Sequence, residues 1–211
     1  MSSASPDRPR VVAHVAISLD GATTGFAADV ATFYELTSTW REDVTLTGAD
    51  TILAQEAALA TAPRPGPRPE GPLLAVVDSR ARVRQWTALR DSGHWSGVLA
   101  VSSARTPVRP GLPGEELRVG TDRVDLAALL TALGARPGVI AVRVDSGGGL
   151  LGALLAAGLV DEVSLLVHPT LAGSAGGRHW YGTRPPSTAL VLGSAERLAG
   201  DLVWLRYRLA P

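Results

Sequence analysis

Lysine is missing from this 211-residue chain, and all 20 of its basic residues are arginine. No lysine amine is present to form a Schiff base, and the phosphate-binding Walker loop, which ends on a lysine, is excluded. Cysteine is missing as well, which removes disulfides, thiolate nucleophiles and thiolate-bound zinc. Neither sign of charge is in excess: 20 acidic residues balance 20 basic ones, so nothing draws the chain toward nucleic acid or an anionic membrane. The longest apolar run, Leu150 to Val160, is too short to span a bilayer, and Met1–Arg10 has no apolar signal-peptide core. From these absences a cytoplasmic protein is expected, with no nucleic-acid and no membrane partner.

Other chemistries also fail on spacing. The four histidines, His14, His94, His168 and His179, show no ligand spacing, so no metal is expected; His14, among apolar neighbours, reads as a core residue. Val144 stands where a serine-hydrolase elbow would need its first glycine. The arginines at 80, 82, 84 and 90 lack the aromatic interleaving of a nucleic-acid platform and read as solvated surface.

What is present is a hydrophobic content of 45%, enough to bury a large core. Val11–Ile17, a β-branched run stopped by Asp20-Gly21, reads as a buried first strand. A helix is expected from Asp29, as N-cap, to Trp40, and a second strand over Ala49–Ala54, followed by a short Ala-rich helix. The proline-rich stretch Pro63–Pro72 reads as an exposed loop. Strands follow at Leu73–Val77, Gly97–Val101, Leu117–Val119, Val139–Val144, Glu162–Val167, Ala189–Leu192 and Leu202–Arg208. Helices fit Asp125–Leu133 and Gly149–Ala157, with Gly158 placed to end the latter. Strands alternating with helices and then following one another predict an α/β fold. Its mostly parallel central sheet would lie in a three-layer sandwich and end in an antiparallel hairpin. The expected organisation is a disordered segment 1–10 and one domain, 11–211.

The strongest local signal is Val142-Arg143-Val144-Asp145-Ser146-Gly147-Gly148-Gly149-Leu150-Leu151-Gly152, an apolar strand running into glycines that open an amphipathic helix. Glycines let backbone N–H groups approach a diphosphate, and the helix N-terminus adds partial positive charge. The alternative is a tight strand-to-helix turn without a ligand. A Rossmann domain is disfavoured: the turn comes late in the chain, and Asp161 and Glu162 precede the next strand rather than ending it.

Several segments recur in one order: Ser18-Leu19-Asp20-Gly21, Gly48-Ala49-Asp50-Thr51-Ile52-Leu53, Val77-Asp78-Ser79-Arg80, the glycine turn, Ala157-Gly158-Leu159-Val160-Asp161-Glu162-Val163, and Pro169-Thr170-Leu171-Ala172-Gly173. In this order they resemble the reductase domain of the bacterial bifunctional riboflavin-pathway deaminase-reductases and, more broadly, the dihydrofolate-reductase-like superfamily. The resemblance implies an NADPH-dependent oxidoreductase. Its diphosphate would lie on Gly147, Gly148, Gly149, Leu150 and Leu151, its nicotinamide beside Ala16, and its adenosine 2′-phosphate on Ser79 and Arg80. Gln55, after the second strand, is a further candidate cofactor donor. Family members commonly pair as homodimers, and the long half-apolar strand near 202–208 is an edge that pairing would protect.

The same resemblance shows departures on the substrate side. The family's lysine after Ser-Leu-Asp-Gly is Ala22, its glutamate before the glycines is Ser146, and its arginine ahead of the second strand is absent from Val44-Thr45-Leu46-Thr47. Hydride transfer needs a dry pocket and a route for a proton, without nucleophile or metal. Asp20 is the first candidate for substrate holding or proton delivery, with a turn-forming role as its alternative. Asp29 and Glu35 border the expected substrate pocket. Ser146 would bond substrate or cap the following helix. The reaction expected is hydride transfer to a C=N or C=O of a small heterocycle: pterin-like, pyrimidine or secondary-metabolite. The alternatives are 5-amino-6-(5-phosphoribosylamino)uracil reductase of riboflavin biosynthesis and a non-catalytic dinucleotide-binding protein.

Overall fold

The computed structural model describes residues 8–182 and 187–210. The expectation of disorder over 1–10 falls mainly on Met1–Asp7, outside the described residues. In chain order the elements are β1 (Arg10–Ser18), α1 (Val30–Thr37), β2 (Val44–Gly48), α2 (Ala49–Ala54), α3 (Glu56–Thr61), β3 (Leu73–Val77), α4 (Trp86–Arg90) and β4 (Gly97–Ser102). They continue with β5 (Glu115–Arg118), α5 (Leu126–Gly134), β6 (Ala141–Val144), α6 (Gly148–Ala156), β7 (Glu162–His168), β8 (Leu190–Arg197) and β9 (Val203–Leu209). By its own contacts the chain divides into two compact units, one of residues 10–41 with 143–211 and one of residues 42–142, and β6 crosses the boundary. The α/β class, the mostly parallel strands and the C-terminal antiparallel hairpin are as expected.

In the first unit β1 runs parallel to β7, with Val12 opposite Glu162 and Ser18 opposite His168, and β9 pairs antiparallel with both β7 and β8. The strand near 202–208 is therefore interior, and the exposed edge passes to β8, where Leu190, Val191 and Leu192 are solvent-facing. Asp29 caps α1, accepting from Thr32 N at 3.0 Å, as the sequence pattern predicts. Glu162, the acid ahead of β7, is buried and structural. It accepts from Trp40 Nε1 at 3.0 Å and Arg206 Nε at 2.8 Å, and pairs with Arg10 at 2.5 Å.

In the second unit β2, β3, β4 and β5 are successive parallel neighbours. The second strand lies at Val44–Gly48, and the Ala49–Ala54 expected as strand is helix α2. Thr45 and Thr47 suggest a solvent-facing rhythm, yet both are buried, so this β-branched strand is covered on both sides. Ala49 and Ile52 are the buried positions of α2, three residues apart, and they join Leu74, Val76, Trp86, Leu89 and Val98 in one apolar cluster. Helix α4 was not foreseen; its Trp86 and Leu89 enter that same cluster behind the run of arginines. Asp125 caps α5, and Pro63–Pro72 contains neither helix nor strand.

His14 is fully buried in β1 and stacked on Phe33, with ring centroids 4.3 Å apart. Trp204 Nε1 donates to Ser164 Oγ at 2.7 Å, the hydroxyl donates to His14 Nδ1 at 2.9 Å, and His14 Nε2 donates to the Phe33 carbonyl at 3.0 Å. Burial lowers the imidazole pKa from 6.5 to about 4. The folded chain thus resists a proton that the unfolded chain accepts below pH 6.5, so the neutral ring's contribution is complete above 6.5 and is lost as pH falls toward 4. Urea unfolding should lose about 3 kcal/mol more over that interval in the natural protein than in His14→Gln. Equal pH dependence in the two would contradict this.

Candidate active site

Open α/β sheets present ligands at the carboxyl ends of parallel strands. At the end of β1, Ser18-Leu19-Asp20-Gly21 forms a turn closed by Gly21 N–H to the Ser18 carbonyl at 2.9 Å, with Gly21 at φ +82°. Asp20 does not point into an empty pocket. Its carboxylate accepts from Ser18 Oγ at 2.5 Å and from two amides of the loop after β7, Ala172 N at 3.0 Å and Gly173 N at 2.8 Å. Leu19 N–H adds a bond to the Thr170 carbonyl at 2.8 Å. These bonds, the one from Ser18 foremost, lower the Asp20 pKa from 3.8 to about 2, so it holds no proton near neutrality. Asp20 is a clasp joining two strand-end loops. Leu19 and Leu171, on the two clasped segments, are left 65% and 70% exposed.

The glycine turn follows β6, and its glycines serve different purposes. Gly148 takes φ +61° and donates its N–H to the Trp180 carbonyl at 3.0 Å. A methyl group on Gly147 would come within 2.8 Å of Thr23 Cγ2, and one on Gly152 within 2.7 Å of the Tyr181 carbonyl oxygen. Three glycines are therefore accounted for by backbone conformation or by packing within the protein. A methyl group on Gly149 would meet nothing within 4 Å, and Gly149 is exposed in the first turn of α6. This open place at a helix mouth, where early amides have no intrahelical acceptor, is what a diphosphate requires. Leu151 buries its side chain in the core, so only its main chain is available to a ligand. The N-cap of α6 is Gly147; Ser146, one residue earlier and 9% exposed, does not occupy the capping position expected of it.

Ala16 lies in β1 opposite Leu166, partly buried beside the Phe33–Leu166–Leu202 cluster. Asp29 is occupied at the start of α1: Thr32 N and Oγ1 bond its carboxylate and lower its pKa, while its own N–H donates to His168 Nε2 at 2.9 Å. Glu35 is exposed on α1. The group passed over in sequence reasoning is its neighbour Tyr34. The ring is half exposed, while crowding at the hydroxyl and then the Asp145 carboxylate push the phenol up to about 12. Arg143, buried at the end of β6, pairs with Asp145 at 3.3 Å.

Gln55, Ser79 and Arg80 belong to the other unit. Buried Asp78, after β3, accepts from Arg82 N and Val83 N, each at 3.0 Å, and pairs with Arg109 at 3.3 Å. This fixes the turn 79–81, in which Arg80 is exposed and the Ser79 carbonyl accepts from Thr106 Oγ1 at 3.0 Å. Gln55 is exposed at the joint of α2 and α3. A cleft of about 660 Å³ in this unit lies at the opposite strand ends, lined by Asp43, Leu73, Gly97, Glu115 and Arg136, and takes in none of the expected site residues.

A mostly parallel α/β sheet closed by a C-terminal antiparallel hairpin is the dihydrofolate-reductase-like fold. The chain belongs to the RibD C-terminal domain family, whose model matches residues 9–204. It is 31% identical over 179 residues to a 2,5-diamino-6-ribosylamino-4(3H)-pyrimidinone 5′-phosphate reductase of Methanothermobacter thermautotrophicus, covering 79% of this chain and 80% of that one. The reductase of the same name from Archaeoglobus fulgidus is 31% identical over 185 residues, covering 79% and 83%. A crystal structure of a pyrimidine reductase-like protein from Corynebacterium diphtheriae superposes with a TM-score of 0.75 at 16% identity, over 97% of this chain and 93% of that one. Membership makes this an oxidoreductase with a nicotinamide cofactor.

A carboxylate whose pKa is depressed from 3.8 to about 2 gives its full contribution above 3.8 and loses it as pH falls through 2. Asp20→Asn should speed amide exchange at Ala172 and Gly173 at neutral pH. Exchange there equal to that of the natural protein would exclude the clasp.

Proposed function

We propose that this chain is an NADPH-dependent reductase acting on a C=N or C=O bond of a small heterocycle. The observation that carries it is Gly149, a glycine at a helix mouth that neither packing nor backbone conformation requires. When bound, NADPH supplies the hydride. Gly149 and Leu150 offer main-chain amides to the diphosphate, and the α6 N-terminus adds partial positive charge. Arg80 and the Ser79 hydroxyl suit the 2′-phosphate that distinguishes NADPH from NADH, because a planar guanidinium pairs well with a phosphate dianion. Ala16 leaves room for a flat ring over β1. Leu19 and Leu171 exclude water beside it, held by the Asp20 clasp. The Tyr34 hydroxyl serves as a hydrogen-bond donor to the substrate heteroatom; burial and the Asp145 carboxylate raise its pKa, so it holds its proton rather than giving it up. That task leaves Asp20 to position, with Glu35 and Ser146 as polar groups of the pocket. A homodimer joined through the exposed β8 edge and a cytoplasmic location complete the reading.

The substrate differs from that of the relatives in one respect. Where the family has a lysine, Ala22 is buried, and a methyl group on Gly176 would come within 2.6 Å of the Ala22 Cβ. A long cation has no room there, which favours a substrate without a phosphate at that point. The second reading, 5-amino-6-(5-phosphoribosylamino)uracil reductase, is favoured by the names of the archaeal relatives.

NADPH oxidation should be followed with phosphorylated and dephosphorylated aminopyrimidinones, pterins and cyclic imines. Turnover of unphosphorylated rings supports the first reading, turnover confined to the phosphorylated pyrimidine the second, and tight binding without turnover rejects both. Gly149→Ala should weaken NADPH binding while keeping or slightly raising the melting temperature, because alanine is the better helix former by about 1 kcal/mol. Unchanged affinity in that variant would remove the diphosphate from Gly149.

A further inference from the structure

The segment 177–182 crosses the glycine turn as a strap. Thr23 N and Oγ1 donate to the Arg178 carbonyl at 2.9 and 3.2 Å, Ala22 and His179 form an antiparallel bridge, and Trp180 N donates to the Gly21 carbonyl at 3.2 Å. With the Gly148-to-Trp180 bond, these contacts fix the strap's main chain against both the Asp20 turn and the mouth of α6. One side chain of the strap reaches that mouth. Arg178 Cδ lies 3.7 Å from the position of a Cβ on Gly148, and no other atom lies within 4 Å of that position. Its guanidinium carbon is two bonds further out, on an exposed side chain.

We propose that Arg178 is the cofactor's diphosphate cation, held over the helix mouth by a strap whose carbonyl occupies the Gly148 amide. The inference rests on the reading that a nicotinamide dinucleotide lies on this turn. A dinucleotide's bridge carries two negative charges, and a helix N-terminus offers about half of one positive charge. The chain has no lysine to supply the rest, and Arg143, nearer in sequence, is buried against Asp145. Arginine suits the task because its fork donates to two phosphate oxygens at once. A Cβ on Gly148 would stand 3.7 Å from that stem, an ordinary van der Waals contact, and one on Gly149 would meet nothing within 4 Å.

The bridge is common to NADPH and NADH, and this gives the test. The full chain with Arg178→Gln, which keeps the stem but not the charge, is titrated with both nucleotides by tryptophan quenching, alongside Arg178→Lys and the natural protein. The expected result is a loss of affinity of about tenfold to a hundredfold in Arg178→Gln, by the same factor for both nucleotides, with partial recovery in Arg178→Lys. Melting without nucleotide should match the natural protein, separating lost charge from a disturbed strap. Unchanged affinity, or a loss confined to NADPH, would overturn the assignment while leaving cofactor binding intact. Failure of the natural protein to bind either nucleotide would reject the underlying reading, and the assignment with it.

Discussion

The hydrogen bond from Gly148 N–H to the Trp180 carbonyl joins a turn to a segment about thirty residues further along the chain, and much else follows from that contact. It draws the strap so close that Gly152 has no space for a side chain, while Gly147 is closed off by Thr23. It uses one amide of the helix mouth, beside the exposed Gly149. It also sets His179 and Trp180 beside Gly21, so that the turn after β1 and the turn after β6 share a wall. Asp20 performs the matching task on the other side, tying the turn after β1 to the loop after β7. The ligand-facing end of this unit is built from loops cross-braced by main-chain bonds, in which side chains of modest size do the anchoring.

Local rules carried much of the fold. Asp29 and Asp125 were legible as N-caps and Gly158 as the stop after α6, because capping and the left-handed glycine depend on a few neighbouring residues. Position within the sheet was less legible. Val44–Gly48 hides two buried threonines in a strand covered on both sides, and the alanines that follow continue as a helix where a β-run had been expected. Helix α4 is not legible in the sequence because arginines surround it, and only contact with the cluster around Trp86 shows which residues point inward.

The site was legible in outline and not in assignment. Three adjacent glycines suggest a phosphate cradle, but one sequence cannot tell a glycine needed by a ligand from one needed by a neighbouring strap. The structure makes that division: among the turn's glycines, Gly149 alone has neither a positive φ nor a neighbour within 4 Å of a Cβ. Asp20 looked like an acid awaiting a substrate because two of its partners, Ala172 and Gly173, lie about 150 residues away. Tyr34 is not legible in the sequence for the same reason, since burial first and the Asp145 carboxylate second single it out. Family resemblance located the motifs; packing distributed their roles.

The central claim is that the diphosphate meets the amides of Gly149 and Leu150 while Gly148 keeps its bond to Trp180. Backbone amide NMR during titration with NADPH tests it directly. The account predicts large, saturable shifts at Gly149 and Leu150, with the Gly148 amide staying protected from exchange. Unmoved Gly149 and Leu150 resonances at saturating nucleotide, or a Gly148 amide released from protection, would contradict it.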